Sequence, residues 1–185
     1  LNLNLNLKTP KAPKEIVFPA NHEKMVEEVE KLRATDCRFF QSKNYEVFFT
    51  EAHKIPNILH EIGRLREITF REVGEGTNES IDLDKYDQYY HHMFLWDEET
   101  KRVAGAYRMG LGSEIFPKYG MDGFYLNDLF RFDSELHDMM KQSIEMGRAF
   151  IVKEYQQKPM PLFLLWKGIV HITLRFPEHK YLIGG

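Results

Sequence analysis

The sequence predicts an α/β or α+β domain in which helices flank one central mixed sheet. Two observations lead to this fold class. Short runs of β-branched and aromatic residues, typical of strands, alternate with longer segments whose apolar residues recur at helical spacing. The chain has 185 residues, of which 43% are hydrophobic, which suits one domain with its own core. Elements in this order are typical of layers packed on a single sheet.

The individual elements follow from apolar spacing, helix caps and turns. Asn21 can cap the first helix, and Pro56 and Pro161 suit the first turns of two others. We expect helices over 22–34, 56–73 and 161–175, a short helix near 134–141, and strands over 38–40, 45–49, 93–96, 102–109, 143–152 and 181–183. Irregular structure is expected over 110–132, and a loop over 153–160.

The domain organisation is predicted from composition along the chain. Residues 8–19 contain three prolines and three lysines, so we interpret residues 1–20 as an N-terminal arm or interdomain linker. The alternating Leu-Asn repeat over residues 1–7 could be an added strand, a cloning remnant or a disordered tip. Residues 21–185 form the predicted domain. Its last strand stands at 181–183, so the sheet looks unfinished and we expect C-terminal strands to be missing.

Composition and motifs argue against several classes of function. The net charge is −3 and no basic stripe is present, so we expect no nucleic-acid partner. Cys37 is a lone cysteine, which suits the reducing cytoplasm, and no signal peptide is visible. The longest apolar stretch, 162–172, is far shorter than the roughly 20 residues that span a bilayer. Without motifs for phosphate loops, dinucleotides or zinc, we expect no bound cofactor or metal.

Charged residues recur inside otherwise apolar elements. Charges are costly in such places unless they are paired, so these residues either neutralise one another or form a site. The set comprises Arg64, Arg66, Asp82, Asp84, Asp87, Arg108, Glu145 and Arg148.

The order of these residues resembles a known family. Arg66-x-x-x-Phe70, Asp84-x-x-Asp87, Arg108 and Glu145-x-x-Arg148 are similar to the pattern of acyl-homoserine-lactone synthases, which are relatives of the GNAT N-acyltransferases that use acyl carrier protein. The chain resembles hemolysin-like, ornithine-lipid type N-acyltransferases still more closely, over about residues 61–185. Five motifs in order carry this resemblance: Gly63-Arg64-Leu65-Arg66, Asp82-Leu83-Asp84-Lys85-Tyr86-Asp87, Gly105-Ala106-Tyr107-Arg108, Glu145-Met146-Gly147-Arg148 and Leu165-Trp166-Lys167-Gly168-Ile169.

Two positions depart from the family patterns. The lactone synthases carry a tryptophan shortly after the Arg-Phe pair, where this chain has 74–77, so a lactone-type signal product is disfavoured. The ornithine-lipid pattern usually ends in serine, and here that place is Ala149.

The resemblance implies a GNAT-like fold and transfer of a fatty acyl group from a thioester to the amine of a small amino acid, of the ornithine or glycine type, in aminolipid biosynthesis. Glu145 is the first candidate for the base or the amine anchor, because the attacking amine must lose a proton, and Asp84 and Asp87 could bind the cationic amine before it does so. Leu164 and its neighbours could equally be plain helix core. By resemblance, catalysis is assigned to Glu145, Arg148, Asp84 and Asp87, substrate binding to Arg66, Phe70, Arg108 and Phe124, and the acyl-chain lining to Phe163, Leu164 and Trp166.

The donor and partners are expectations of the same kind. Acyl-CoA enzymes of this superfamily place a glycine-rich turn before a helix to bind pyrophosphate, and residues 153–160 have no glycine, which favours acyl carrier protein over CoA. The segment before residue 61 resembles the linker that follows a fused O-acyltransferase domain. Peripheral contact with the inner face of the membrane is expected. The alternatives are a non-catalytic GNAT-like domain that binds lipid or a partner, and a signal synthase.

Overall fold

A computed structural model describes residues 12–184 of the chain. The repeat over residues 1–7 therefore lies outside the described residues. The described end of the predicted arm lies against the domain. Lys14 and Val17 donate backbone hydrogen bonds to the carbonyl groups of Asn78 and Ser80, at 2.9 and 3.0 Å. The Ala20 N–H group donates to the Glu61 carboxylate at 3.0 Å. This segment therefore contacts both the second helix and the loop that follows it.

Six strands form one mixed sheet in the order β1-β2-β3-β4-β5-β6. The first five strands pair antiparallel, and β6 runs parallel to β5. The strands are β1 (Arg38–Ser42), β2 (Tyr45–Glu51), β3 (His91–Asp97), β4 (Arg102–Leu111), β5 (Ser143–Ile151) and β6 (Tyr181–Gly184). The predicted fold class, a mixed sheet flanked by helices, is confirmed.

Helices pack on both faces of this sheet. The helices are α1 (His22–Arg33), α2 (Pro56–Glu72), α3 (Gly112–Tyr119), α4 (Leu126–Leu129), α5 (His137–Lys141), α6 (Lys153–Gln156) and α7 (Pro159–Arg175). The Asn21 side chain caps α1 by accepting from the Lys24 N–H group, as its position predicts. The buried Glu28 carboxylate closes the N-terminus of α2, where it accepts from the Asn57 and Ile58 N–H groups at 2.8 Å. No helix within residues 12–184 is both long and apolar enough to cross a bilayer.

Three expectations about elements were wrong. The irregular stretch 110–132 contains the helix α3, in which Pro117 obscures the helical pattern. The loop 153–160 begins with the single helical turn α6, which is too short to show periodicity in sequence. The following helix begins at Pro159 rather than Pro161.

The two faces of the sheet are covered by different helices. We call the side that carries α1 and α2 the α2 face, and the opposite side the α7 face. Two glycines let α7 approach the α7 face closely. A Cβ atom on Gly168 would lie 2.4 Å from the Met93 sulfur, and one on Gly105 would lie 3.2 Å from a Leu165 methyl group. The α7 face is therefore a tightly packed apolar interface.

A β-bulge interrupts the pairing of β4 with β5. Arg108 pairs with Gly147 and Ala106 pairs with Phe150, so Tyr107 opposes two residues, Arg148 and Ala149. Arg148 has a φ of 49°, which is uncommon for a residue with a side chain. Strict alternation from Glu145 would send the Arg148 side chain to the α7 face. The bulge turns it to the α2 face instead, beside Phe70 of α2.

Candidate active site

A buried ion network lies between α2 and β4. The guanidinium group of Arg66 contacts Asp87 at 2.7 Å, and that of Arg108 contacts Asp87 at 3.2 Å and Asp84 at 2.7 Å. Asp84 caps the turn Lys85–Gln88, and Asp87 accepts a hydrogen bond from the Asp84 N–H group in return. Asp84 is 29% exposed at its side chain, whereas Asp87 is fully buried. The network thus reaches solvent only through Asp84.

Asp87 and the neighbouring His92 each keep one protonation state at neutral pH. Burial by itself would raise the pKa of Asp87, but the neighbouring Arg66 and Arg108 outweigh it and lower the pKa to about 2. His92 lies behind Asp87 and contacts its carbonyl oxygen through Nε2 at 2.9 Å. Burial and the Arg66 charge lower the pKa of His92 to about 4, so the imidazole is neutral at pH 7. Neither group titrates near neutrality, so neither serves there as an exchangeable base.

Glu145 is a buried carboxyl group whose pKa is raised, as is that of the buried Asp82 beside Arg148. It lies opposite Gly110 on the same face as Arg108, and only 3% of it is exposed. Burial raises the pKa of Glu145, while a hydrogen bond from the Tyr90 hydroxyl group and the charge of Arg108 act in the opposite direction. That hydrogen bond is 3.0 Å long. A raised pKa brings a carboxylate closer to the working range of a general base.

Arg148 has unused hydrogen-bonding capacity. Its nearest anion is Asp82, at 3.6 Å, which is too long for a good hydrogen bond. Its Nε atom is buried without a partner, and its side chain remains 22% exposed. The rings of Phe70 and Tyr125 lie 6.0 and 5.5 Å from the guanidinium carbon. Arg148 is therefore a held but incompletely paired cation.

A cleft of about 320 Å³ opens beside Arg148. Phe70, Tyr125 and Leu129 contribute apolar walls, and Gly147 and Arg148 line it from β5. An ideal Cβ atom on Gly147 would meet nothing within 4 Å, so the strand backbone is open to this space. Strand β6 pairs with β5 only up to Met146, and within the described residues nothing pairs with that edge of β5 beyond it. Backbone groups of β5 therefore face the cleft region unpaired.

The structure brings together most of the residues that the sequence assigned to catalysis. Glu145, Arg148, Asp84 and Asp87 all lie on the α2 face together with Arg108. Phe70 lines the cleft.

Three of the assigned residues, Arg66, Phe124 and Leu164, are buried and line no open space. Arg66 and Phe124 have no exposed surface, so direct contact with a substrate does not fit their positions. Arg66 holds Asp87, and Phe124 packs in a cluster with Tyr90. In α7, Leu164 is core, whereas Phe163 and Trp166 are exposed and line a separate groove of about 600 Å³ on the α7 face.

The sequence interpretation missed three groups at this site. Tyr90 contacts Glu145, Tyr125 walls the cleft, and His92 supports Asp87. Three tyrosines, at positions 86, 89 and 90, flank the assigned Asp87 in sequence. This aromatic cluster was a signal that could have pointed to Tyr90. No cluster of three or more potential metal ligands occurs within residues 12–184.

Comparison with known proteins places this geometry in a family. The acetyltransferase (GNAT) domain family matches residues 65–166, more than half of the chain. Glycine N(alpha)-acyltransferase of Bacteroides thetaiotaomicron is 33% identical over 181 residues, covering 92% of this chain and 53% of that protein. The protein of the same name from Phocaeicola vulgatus is 32% identical, covering 92% of this chain and 55% of that protein. The chain thus spans about half the length of these curated relatives.

A solved structure shares the fold. The crystal structure of the acyl-homoserine-lactone synthase LasI aligns with a TM-score of 0.50 over 77% of this chain and 72% of that chain, at 14% identity. Identity this low supports the fold alone. The shared fold agrees with the expected relation to lactone synthases. The family match runs from the second half of α2 to the first half of α7, and the ion network and the cleft lie within it. On these grounds, the chain belongs to the GNAT acetyltransferase family.

Proposed function

We propose that this domain transfers a fatty acyl group from a thioester to the α-amine of a small amino acid, with glycine as the first candidate. The observation that carries the proposal is the pairing of Glu145, a buried carboxyl group with a raised pKa, with the partly unpaired cation Arg148 on one face beside an open cleft. The relatives named as glycine N(alpha)-acyltransferases support the choice of acceptor.

The acceptor binds through its two charges. Arg148 holds the carboxylate through the exposed part of its guanidinium group, because the side chain is 22% exposed and its nearest anion, Asp82, lies 3.6 Å away. Phe70 and Tyr125 stack near that guanidinium group and fix its plane. Asp84, the one partly exposed acid of the ion network, attracts the ammonium end. The volume of about 320 Å³ suits a small amino acid better than a large one.

The chemistry then needs one base and one oxyanion site. The ammonium group first loses a proton, which passes to Glu145 through a water molecule because the carboxylate is only 3% exposed. The amine nitrogen attacks the thioester carbonyl carbon, and the unpaired backbone N–H groups of β5 beyond Met146 stabilise the oxyanion. As the intermediate collapses, the C–S bond breaks, the nitrogen loses its second proton and the thiolate is protonated. The products are an amide and a free thiol.

The donor approaches from the α7 face. The α6–α7 connection, which precedes the helix where many acyl-CoA enzymes bind pyrophosphate, has no glycine, and this supports acyl carrier protein over CoA. Phe163 and Trp166 line the exposed apolar groove on this face, which suits a fatty acyl chain. An N-acylated amino acid is an amphiphile, so the reaction fits aminolipid biosynthesis at the inner face of the membrane. In the parent protein, a fused O-acyltransferase domain would add the second chain.

The test is the Glu145→Gln substitution in the purified full chain, assayed with glycine and a fatty acyl carrier protein, with product identification by mass spectrometry. Loss of the base is expected to reduce the rate by about 100-fold or more, with little change in the melting temperature. Glu28→Gln is the matched control, since Glu28 is also a buried carboxylate but caps α2 away from the cleft. It should lower the melting temperature and leave the rate near normal. A Glu145→Gln variant that keeps its rate but melts earlier would make Glu145 structural.

A further inference from the structure

The hydroxyl group of Tyr90 joins the candidate base to the wall of the cleft. It donates to the Glu145 carboxylate at 3.0 Å and accepts from the backbone N–H group of Tyr125 at 2.9 Å. Its oxygen also lies 3.4 Å from the Gly123 carbonyl oxygen. Tyr90 is 1% exposed, so these contacts form without competition from bulk water.

The ring of Tyr90 reaches Glu145 across a position that only glycine leaves open. Gly110 lies opposite Glu145 in the sheet, and a Cβ atom at Gly110 would lie 2.7 Å from the Tyr90 ring. The Arg108 guanidinium carbon lies 5.3 Å from the centre of this ring and 5.1 Å from that of Tyr125. The ring is thus held from two sides, and its hydroxyl group has a fixed direction.

We propose that Tyr90 is a positioning residue that holds the Glu145 carboxylate and the Tyr125 wall of the cleft in one arrangement. This inference rests on the proposed role of Glu145 as the base. It assigns a function to a residue that does not contact the substrate, because Tyr90 is buried behind Glu145 and Tyr125. The expected consequence is a coupling between proton transfer and substrate binding through a single hydroxyl group.

The direction of the effect on proton transfer follows from the groups around Glu145. Tyr89 and Tyr90 face it from the segment before β3, and Arg108 faces it from β4. The backbone N–H groups of Tyr125 and Leu126 also hydrogen-bond the carboxylate, and β6 presents the apolar Ile183 opposite. The Tyr90 hydrogen bond stabilises the ionised carboxylate and so lowers the pKa of Glu145 against the effect of burial. Removing the hydroxyl group raises that pKa further. Since the base acts when ionised, activity should fall as the pH drops through the pKa of Glu145. This fall, which we call the acidic limb of the pH profile, should move to higher pH in the variant.

The experiment is the pH dependence of kcat/KM for the Tyr90→Phe variant of the full chain. We expect the acidic limb to move up by about one pH unit, which corresponds to about a tenfold loss of activity below the limb. The KM for the amino acid should also rise, because Tyr125 loses its anchor.

Tyr86→Phe is the matched control. Tyr86 is 2% exposed in the same aromatic cluster, and its hydroxyl group donates to Asp128 rather than to Glu145. Tyr90→Phe loses two hydrogen bonds and Tyr86→Phe loses one, so both variants should melt at reduced temperatures, but only Tyr90→Phe should shift the limb. Gly110→Ala is a second variant that displaces the ring and keeps the hydroxyl group, and it should move the limb in the same direction.

The outcomes separate the two proposals. If Glu145→Gln abolishes turnover while neither Tyr90→Phe nor Gly110→Ala moves the limb, Tyr90 is only structural and the base assignment stands. If Glu145→Gln keeps its rate, the base assignment fails and the positioning role fails with it. An equal shift in Tyr86→Phe would also overturn the inference, because a general loosening of the aromatic cluster would then explain the effect.

Discussion

The two faces of the sheet are built by the same strands, yet they differ in what they bury. The α7 face meets its helix through apolar side chains such as Val47, Met93 and Leu165. The α2 face buries charged and polar groups, each at most 3% exposed: Arg66, Asp82, Asp87, His92, Arg108 and Glu145. Because side chains alternate along a strand, one sheet can pack an apolar core against one face and hold charged groups on the other.

The α2 face also holds every buried side-chain nitrogen or oxygen atom that lacks a hydrogen-bond partner within residues 12–184. These atoms are Nε and Nη2 of Arg66, Oδ2 of Asp82, Nδ1 of His92 and Nε of Arg148. An unpartnered buried polar atom typically costs about 1–3 kcal/mol, so their concentration in one place calls for a reason other than stability. Apolar groups of similar size would often stabilise a fold as well as, or better than, a buried ion network. This contrast supports the proposal that the α2 face carries the functional site.

The largest expected effect comes from neutralising the centre of the ion network. Asp87→Asn leaves Arg66 and Arg108 buried without their shared counter-charge. We expect the free energy of unfolding to fall by about 3–5 kcal/mol, measured by urea denaturation. Asp84→Asn is the control, because Asp84 is 29% exposed, its ion pair is with Arg108, and asparagine can keep its cap of the turn, so the cost should be about 1 kcal/mol or less. Equal costs for the two variants would show that burial does not separate them.

A truncation on the α7 face should cost stability without touching the chemistry. Leu164 is 1% exposed in the apolar core, so Leu164→Ala should lower the free energy of unfolding by about 2–5 kcal/mol. At a temperature where the variant is folded, its acidic limb in the pH profile of kcat/KM should match that of the unchanged protein. A shifted limb would mean that the two faces are energetically coupled, and the division between them would have to be abandoned.

The smallest effect is expected on the outer side of the same helix. Trp166 is 60% exposed, so Trp166→Ser should change the free energy of unfolding by no more than about 0.5 kcal/mol. If this residue lines the acyl path, the preference for acyl chain length should nevertheless change when donors of different length compete. A stability loss close to that of Leu164→Ala would show that this surface is covered in solution.

Much of the fold was predictable from local pattern. Strand β3 contains four consecutive apolar residues, and helix α2 has apolar residues at helical spacing. Both elements were predicted within a few residues of their observed ends. The helix α3 was missed because it is short and carries Pro117. Its position depends on tertiary packing: Gly112 approaches the Met140 carbonyl group so closely that an added Cβ atom would lie 2.1 Å away. No local pattern reports such a contact.

The charged residues of the site could be predicted from the sequence, but the burial of each one could not. The charged residues inside apolar elements pointed to Glu145, Arg108 and the two aspartates. The sequence could not say that Arg66 is buried while Asp84 is partly exposed, because burial depends on which elements pack over each residue. The role of each as substrate ligand, base or support remains a prediction that the substitutions above test.

The bulge in β5 gives the length of this strand a significance separate from its residue types. Glu145 and Phe150 both point to the α2 face although an odd number of steps separates them, because Arg148 and Ala149 share one partner. Deleting one residue here would restore strict alternation. Glu145 and Phe150 would both stay on the α2 face, because the bulge already absorbs the extra residue. If the deleted residue were Ala149, Arg148 would stand alone opposite Tyr107 and its side chain would turn to the α7 face, away from Phe70. A substitution changes the chemistry of a side chain, whereas this deletion would change the face of the sheet on which Arg148 lies.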